Sequence, residues 1–130
     1  MRPGNNMKRP ARGFTLIELM IVTVVIGILA AMAVFRARKA REEAYVAAMR
    51  SDLRNFLGAE MVYFYDYSAF SPTAPGAFIT SAGVTGPTIT LVASDLTAWV
   101  GHSSTSRTCA IFVGNTALAP ATKEGEPKCT

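Results

Sequence analysis

The sequence predicts an α+β fold: a long N-terminal helical spine packed on a small C-terminal antiparallel β-sheet. Three observations predict it. No proline occurs between Pro10 and Pro72, and an interior proline would break a helix, so one continuous helix from residue 14 to about 65 is open to the chain. After Asp66 the composition shifts: Ser and Thr supply 18 of residues 67–130, alongside five of the seven prolines. Within that second part, Thr88-Ile89-Thr90-Leu91-Val92 alternates with period two, the pattern of a half-buried strand. At 130 residues the chain has room for one domain of ordinary size.

The first element, residues 1–13, is a basic leader. Arg2, Lys8, Arg9 and Arg12 fall in it, and no acid does. With those four set aside, nine of the thirteen bases remain against nine acids, so the formal charge of +4 belongs to the leader. A basic balance suggests nucleic acid or an anionic membrane as partner, but the body of the chain is neutral. An apolar fraction of 50% with 17% charged residues excludes a disordered tail. One His excludes a multi-His metal cage. Met7 offers a second start, leaving three leader bases.

The second element, residues 14–35, reads FTLIELMIVTVVIGILAAMAVF and holds one charge, Glu18. Leu19 to Phe35 is 17 residues without any. About 20 apolar residues span a bilayer as a helix, and apolar residues on every face exclude an interfacial amphipathic helix. A buried core helix and a secretory signal peptide both compete with a membrane span. Ala31-Met32-Ala33 fits a signal-peptidase site, with cleavage after Ala33. Against a disposable signal, an unpaired acid inside the apolar run costs roughly 3 kcal/mol, so something needs that carboxylate. Orientation stays open, because Arg36, Arg38, Lys39 and Arg41 balance the leader's four bases.

Arg12-Gly13-Phe14-Thr15-Leu16-Ile17-Glu18-Leu19 resembles the prepilin cleavage and methylation motif of type IV pilins and type II secretion pseudopilins. The resemblance runs through about Val34. It implies cleavage after Gly13 by a prepilin peptidase on the cytoplasmic side, N-methylation of Phe14, and a span whose C-terminal part lies outside the inner membrane. The chemistry is consistent with that. Gly13 lacks a Cβ, so the backbone can lie close against a protease site. The new Phe14 ammonium needs a counter-charge in a greasy environment, and the Glu18 carboxylate of a neighbouring subunit supplies one, since a desolvated pair costs less than either lone charge. Glu18 also favours a helix N-terminus by about 0.3–1 kcal/mol. The family carries Pro where this chain has Phe35, so the resemblance leaves open whether the spine unwinds between Gly27 and that position.

The third element, residues 36–66, is the amphipathic half of the spine. Val46, Met49, Leu53, Phe56 and Leu57, then Tyr63 and Phe64, recur at helical spacing, with Arg50, Asp52 and Arg54 on other faces. Arg36, Arg38, Lys39 and Arg41 spread around the helix and make a solvated collar. Arg38 with Glu42 and Lys39 with Glu43 form i,i+4 pairs worth a few tenths of a kcal/mol. This division matches the pilin architecture.

The fourth element, residues 67–130, is a β-rich head. Ser71-Pro72, Pro75-Gly76 and Gly86-Pro87 signal turns. Residues 88–92, 96–100 and 108–113 are strand-like, giving a three- or four-stranded sheet packed on residues 45–65. Trp99, Ile111 and Val113 are expected in its core, Asp95 in a loop and His102 in the sheet. Tyr63, Phe64, Tyr65 and Tyr67 are expected to form an aromatic cluster at the helix end, in core and hinge packing rather than as electron carriers. Cys109 and Cys129 are the only cysteines, both in the part the resemblance places outside the cytoplasm, where an even count implies a disulfide. Pilins carry such a C-terminal loop.

No catalytic constellation is present: one His and Asp95 make no triad, and no phosphate loop or dinucleotide fingerprint occurs. The chain is expected not to be an enzyme, with no cofactor and no metal. There is no acidic cluster between Asp95 and Glu126 of the kind that builds a pseudopilin calcium loop. The resemblance implies a structural subunit of a type IV pilus or related filament, for motility, adhesion, DNA uptake or secretion. Its implied partners are further copies of itself, prepilin peptidase, an inner-membrane assembly platform with cytoplasmic ATPases, and membrane lipid before assembly. Direct nucleic-acid binding is not expected. The alternatives are a pseudopilin of a type II secretion system and, in another class, a secreted binding domain cleaved after Ala33.

Overall fold

The computed structural model describes residues 13–76 and 78–130, so Arg2, Lys8, Arg9 and Arg12 of the expected leader lie outside the described residues. In chain order the elements are α1 (Leu16–Tyr67), β1 (Val84–Val92), β2 (Asp95–His102), β3 (Thr105–Val113) and β4 (Lys128–Cys129). The chain divides between Ala37 and Arg38 into two units. In the first, every described residue is exposed. The second has its own core.

The expected proline-free helix is present and 52 residues long. Within the second unit it presents Val46, Met49, Leu53, Phe56 and Glu60, all at most 1% exposed, along one stripe. These spacings of three and four keep side chains on one face of a helix. The stripe packs on one face of an antiparallel sheet with strand order β1-β2-β3-β4. Leu96, Ala98 and Val100 from β2, with Cys109 and Ile111 from β3, meet it there. The other sheet face is covered at Ala110 and Phe112 by Ala121 and Leu118 of the segment after β3.

Two-residue turns join the first three strands: Val92 pairs with Asp95 and His102 with Thr105. At the sheet's outer sides, β1 contains Pro87 and an irregular register between Thr85 and Thr88, and β4 is two residues long. The connection from α1 to β1 is tied down by two carboxylates of the helix. Asp52 accepts hydrogen bonds from the Ser81 amide and hydroxyl, each at 2.7 Å. Glu60 accepts one from the Ser71 amide at 3.0 Å, and its other oxygen, Oε1, is buried without a partner among the described residues. Burial pushes the Glu60 carboxyl above its ordinary range, and the Ser71 bond only partly offsets this.

Several expectations are corrected. Asp52 is buried, at the edge of the apolar stripe, because Ser81 satisfies it there. Trp99 is 43% exposed; Ala98 and Val100 face inward, and strand parity sends the residue between them outward. Ile111 and Val113 do join the core, the second half-buried. The aromatic cluster at the end of α1 lies at the surface: Tyr65 is 88% and Tyr67 67% exposed, with Tyr63 stacked on Tyr67 and Phe64 against Phe70. Gly86-Pro87 lies inside β1 as part of its irregularity rather than in a turn, which a strand with one free side tolerates. Asp95 opens β2. Neither proposed i,i+4 pair is within ion-pair distance; Glu43 instead reaches Arg107 at 3.4 Å. His102 is in the sheet as expected, stacked on Tyr45.

Candidate functional site

The start of α1 is built by its own residues. Gly13, Phe14 and Thr15 precede the helix outside regular secondary structure and are exposed. Space is open around Gly13, since a Cβ added there would meet nothing within 4 Å. Thr15 then acts as the helix cap. Its hydroxyl accepts the Glu18 amide at 3.2 Å, while the Glu18 carboxylate accepts the Thr15 amide at 3.5 Å and hydroxyl at 3.4 Å. This reciprocal arrangement satisfies two backbone donors that a helix start leaves orphaned. The T-x-x-E spacing is legible in the sequence, although the charge of Glu18 alone does not point to Thr15. Glu18 therefore has a local task beside any task as counter-charge.

Beyond the cap, the helix is apolar and uncovered on all sides. Phe14, Leu16, Ile17, Leu19, Ile21 and Phe35 are between 57% and 80% exposed, and no side of residues 14–35 is buried. The Thr23 hydroxyl donates to the Met20 carbonyl at 2.9 Å, so this polar group needs no outside partner. Contiguous apolar surface of this extent marks a membrane or protein interaction site. The helix is long and apolar enough to cross a membrane.

In the second unit, Cys109 and Cys129 are joined by a disulfide and pair directly in the β3–β4 ladder. The segment between is pinned at its start by Asp95, whose carboxylate accepts the Asn115 amide at 3.1 Å, the Thr116 amide at 2.8 Å and the Thr116 hydroxyl at 2.6 Å. The Thr116 hydroxyl, with these amides, holds the Asp95 carboxyl below its ordinary range. Gly114 has φ of 99°, and a Cβ there would collide with the Asp95 carboxylate. Among the described residues no group of three or more His, Cys, Asp or Glu is placed to hold a metal. The cap and the disulfide lie in different units, so the sequence-derived sites form two separate features.

Residues 8–34 match the sequence profile of the prokaryotic N-terminal methylation motif. The chain is similar to the type II secretion system core protein G of Pseudomonas aeruginosa, 36% identical over 69 residues, which is 53% of this chain and 49% of that one. It is similar to the type IV major pilin protein PilA of Myxococcus xanthus, 41% identical over 68 residues, 48% of this chain and 29% of that one. The core protein G of Klebsiella pneumoniae is 38% identical over 65 residues, 50% of this chain and 46% of that one. The chain thus spans about half the length of the type II relatives and less than a third of the pilin. No solved structure matches.

Proposed function

We propose that this chain, which carries a prepilin-type N-terminal methylation motif, is a structural subunit of a type IV pilus or related filament. The observation that carries the reading is the uncovered apolar helix, opened by a Thr15–Glu18 cap directly after an exposed Gly13-Phe14 bond. Residues 1–13 are the leader, 14–35 the membrane and filament-core half of the spine, 36–66 its amphipathic half and 67–130 the head. Prepilin peptidase cuts after Gly13 and Phe14 is N-methylated. The precursor sits in the inner membrane with its head outside the cytoplasm, and an assembly platform driven by cytoplasmic ATPases moves it into the filament. There the apolar helices bundle, and Glu18 of one subunit meets the Phe14 ammonium of another. Contacts that repeat without closing give filaments. Similarity to two type II secretion core proteins supports a second reading, a pseudopilin of that system.

The cap sharpens the test. Glu18→Gln keeps an acceptor for the Thr15 amide, since Gln serves in a capping box as Glu does, and removes only the charge. The variant is expected to be cut normally and to assemble poorly, while Gly13→Leu accumulates uncut precursor. Mass spectrometry of the mature N-terminus and microscopy of surface filaments read both. A mature chain beginning at Val34 sinks the proposal; full filament yield from Glu18→Gln removes the counter-charge role and leaves the cap.

A further inference from the structure

The segment between β3 and β4 returns along α1 and closes a cleft of about 340 Å³ against it. Arg50 and Arg54, one helical turn apart, line one wall, and Lys123, Lys128, Glu126 and Pro127 line the other. The acid is already engaged: Lys123 Nζ lies 3.7 Å from Glu126 Oε2. The Lys128 ammonium donates to the Thr122 hydroxyl at 3.5 Å. Among the described residues, no carboxylate pairs with Arg50, Arg54 or Lys128.

This concentration of like charge is costly, and the backbone that carries its far wall is held in place. Like charges at i and i+4 destabilise a helix, yet Arg50 and Arg54 occupy such positions. Nine bases balance nine acids after residue 13, so four cations around one acid are a local excess. The far wall is fixed by the fold. Pro127 is buried, the Gly125 amide donates to the Phe112 carbonyl at 2.8 Å, and Lys128 sits in β4 beside the disulfide-bonded Cys129. Arg50, Arg54 and Lys128 line the cleft without a carboxylate partner among the described residues, which leaves them open to an external anion. Two guanidinium forks with the Lys128 ammonium suit the oxygens of a phosphate group, and the volume admits a small phosphorylated ligand rather than a folded partner.

We propose that this cleft is a binding site for a phosphate-bearing small ligand, with Arg50 and Arg54 as its principal contacts. The site is independent of the filament reading. The full chain in neutral detergent micelles is titrated with pyrophosphate by calorimetry, beside Arg50→Gln/Arg54→Gln and the exposed control Arg41→Gln. Saturable binding is expected in the parent and in Arg41→Gln, weakened about tenfold or more in the double variant. Circular dichroism confirms that the variants fold alike. A parallel titration with dioctanoyl phosphatidic acid in the micelle assigns the source: tighter binding there points to a lipid headgroup, weaker binding to a soluble ligand, and both uphold the site. Absence of saturable binding to either probe, equal binding by the double variant, or binding to duplex DNA alone overturns the proposal.

Discussion

At the scale of single residues, three carboxylates do different work because their surroundings differ. Glu18 caps a helix in an uncovered segment, Asp95 gathers amides and a hydroxyl, and Glu60 is buried with one oxygen bonded and one bare. The last two have opposite consequences for stability. Asp95, held below its ordinary range, contributes stability above that range and loses it as pH falls through the lowered value. Glu60, pushed upward, is best accommodated protonated; its contribution is full below the ordinary carboxylate range and is lost as pH rises through the raised value. Glu60→Gln keeps the acceptor for Ser71 and removes the charge. Chemical denaturation across pH should show the parent losing stability relative to the variant as pH rises above the ordinary carboxylate range; parallel curves would refute the assignment. None of these tasks was visible in the sequence beyond the T-x-x-E spacing. Thr116 lies 21 residues from Asp95 and Ser71 lies 11 from Glu60, and no periodic pattern links such a carboxylate to a loop amide.

At the scale of elements, legibility followed periodicity. The helix was readable because proline is absent and Val46, Met49, Leu53 and Phe56 recur at its spacing. Strands were readable where alternation is clean, at residues 88–92. Trp99 was misplaced because its size suggested a core residue, while the parity set by Ala98 and Val100 decided the matter. The aromatic residues at the end of α1 were misplaced because they outlast the region that the sheet covers. The disulfide links the shortest strand to its neighbour, and with only two paired residues β4 depends on that link. Replacing both Cys109 and Cys129 by Ser should cost on the order of 3 kcal/mol, the chain-entropy value for a loop near this size. A thermal melt of the full chain in detergent checks this, with a shift of several degrees expected. Core truncation is comparable: Leu53→Ala should cost about 2–5 kcal/mol, since Leu53 is completely buried.

At the scale of the whole molecule, the formal charge of +4 and the apolar surface belong to different stretches of chain. The charge excess lies in residues 1–13, and the uncovered apolar surface begins at Phe14. A body with balanced charge and an exposed apolar helix should remain with membranes when electrostatic attraction is screened. The full chain is therefore expected in the membrane pellet after a high-salt wash and in the supernatant only after detergent; release by salt alone would refute an apolar anchor.

The outer strands of the sheet carry a last consequence. A sheet with free sides is a template on which further chains can add strands, and crowding at high local concentration makes such addition hazardous. Here one side carries a proline within an irregular register, and the other is two residues long and includes the cross-linked Cys129. Neither side offers a long, regular row of free amides and carbonyls. Copies crowded together can therefore lie side by side without templating one another into cross-β aggregates, which in the proposed filament leaves the apolar helix as the route of self-association.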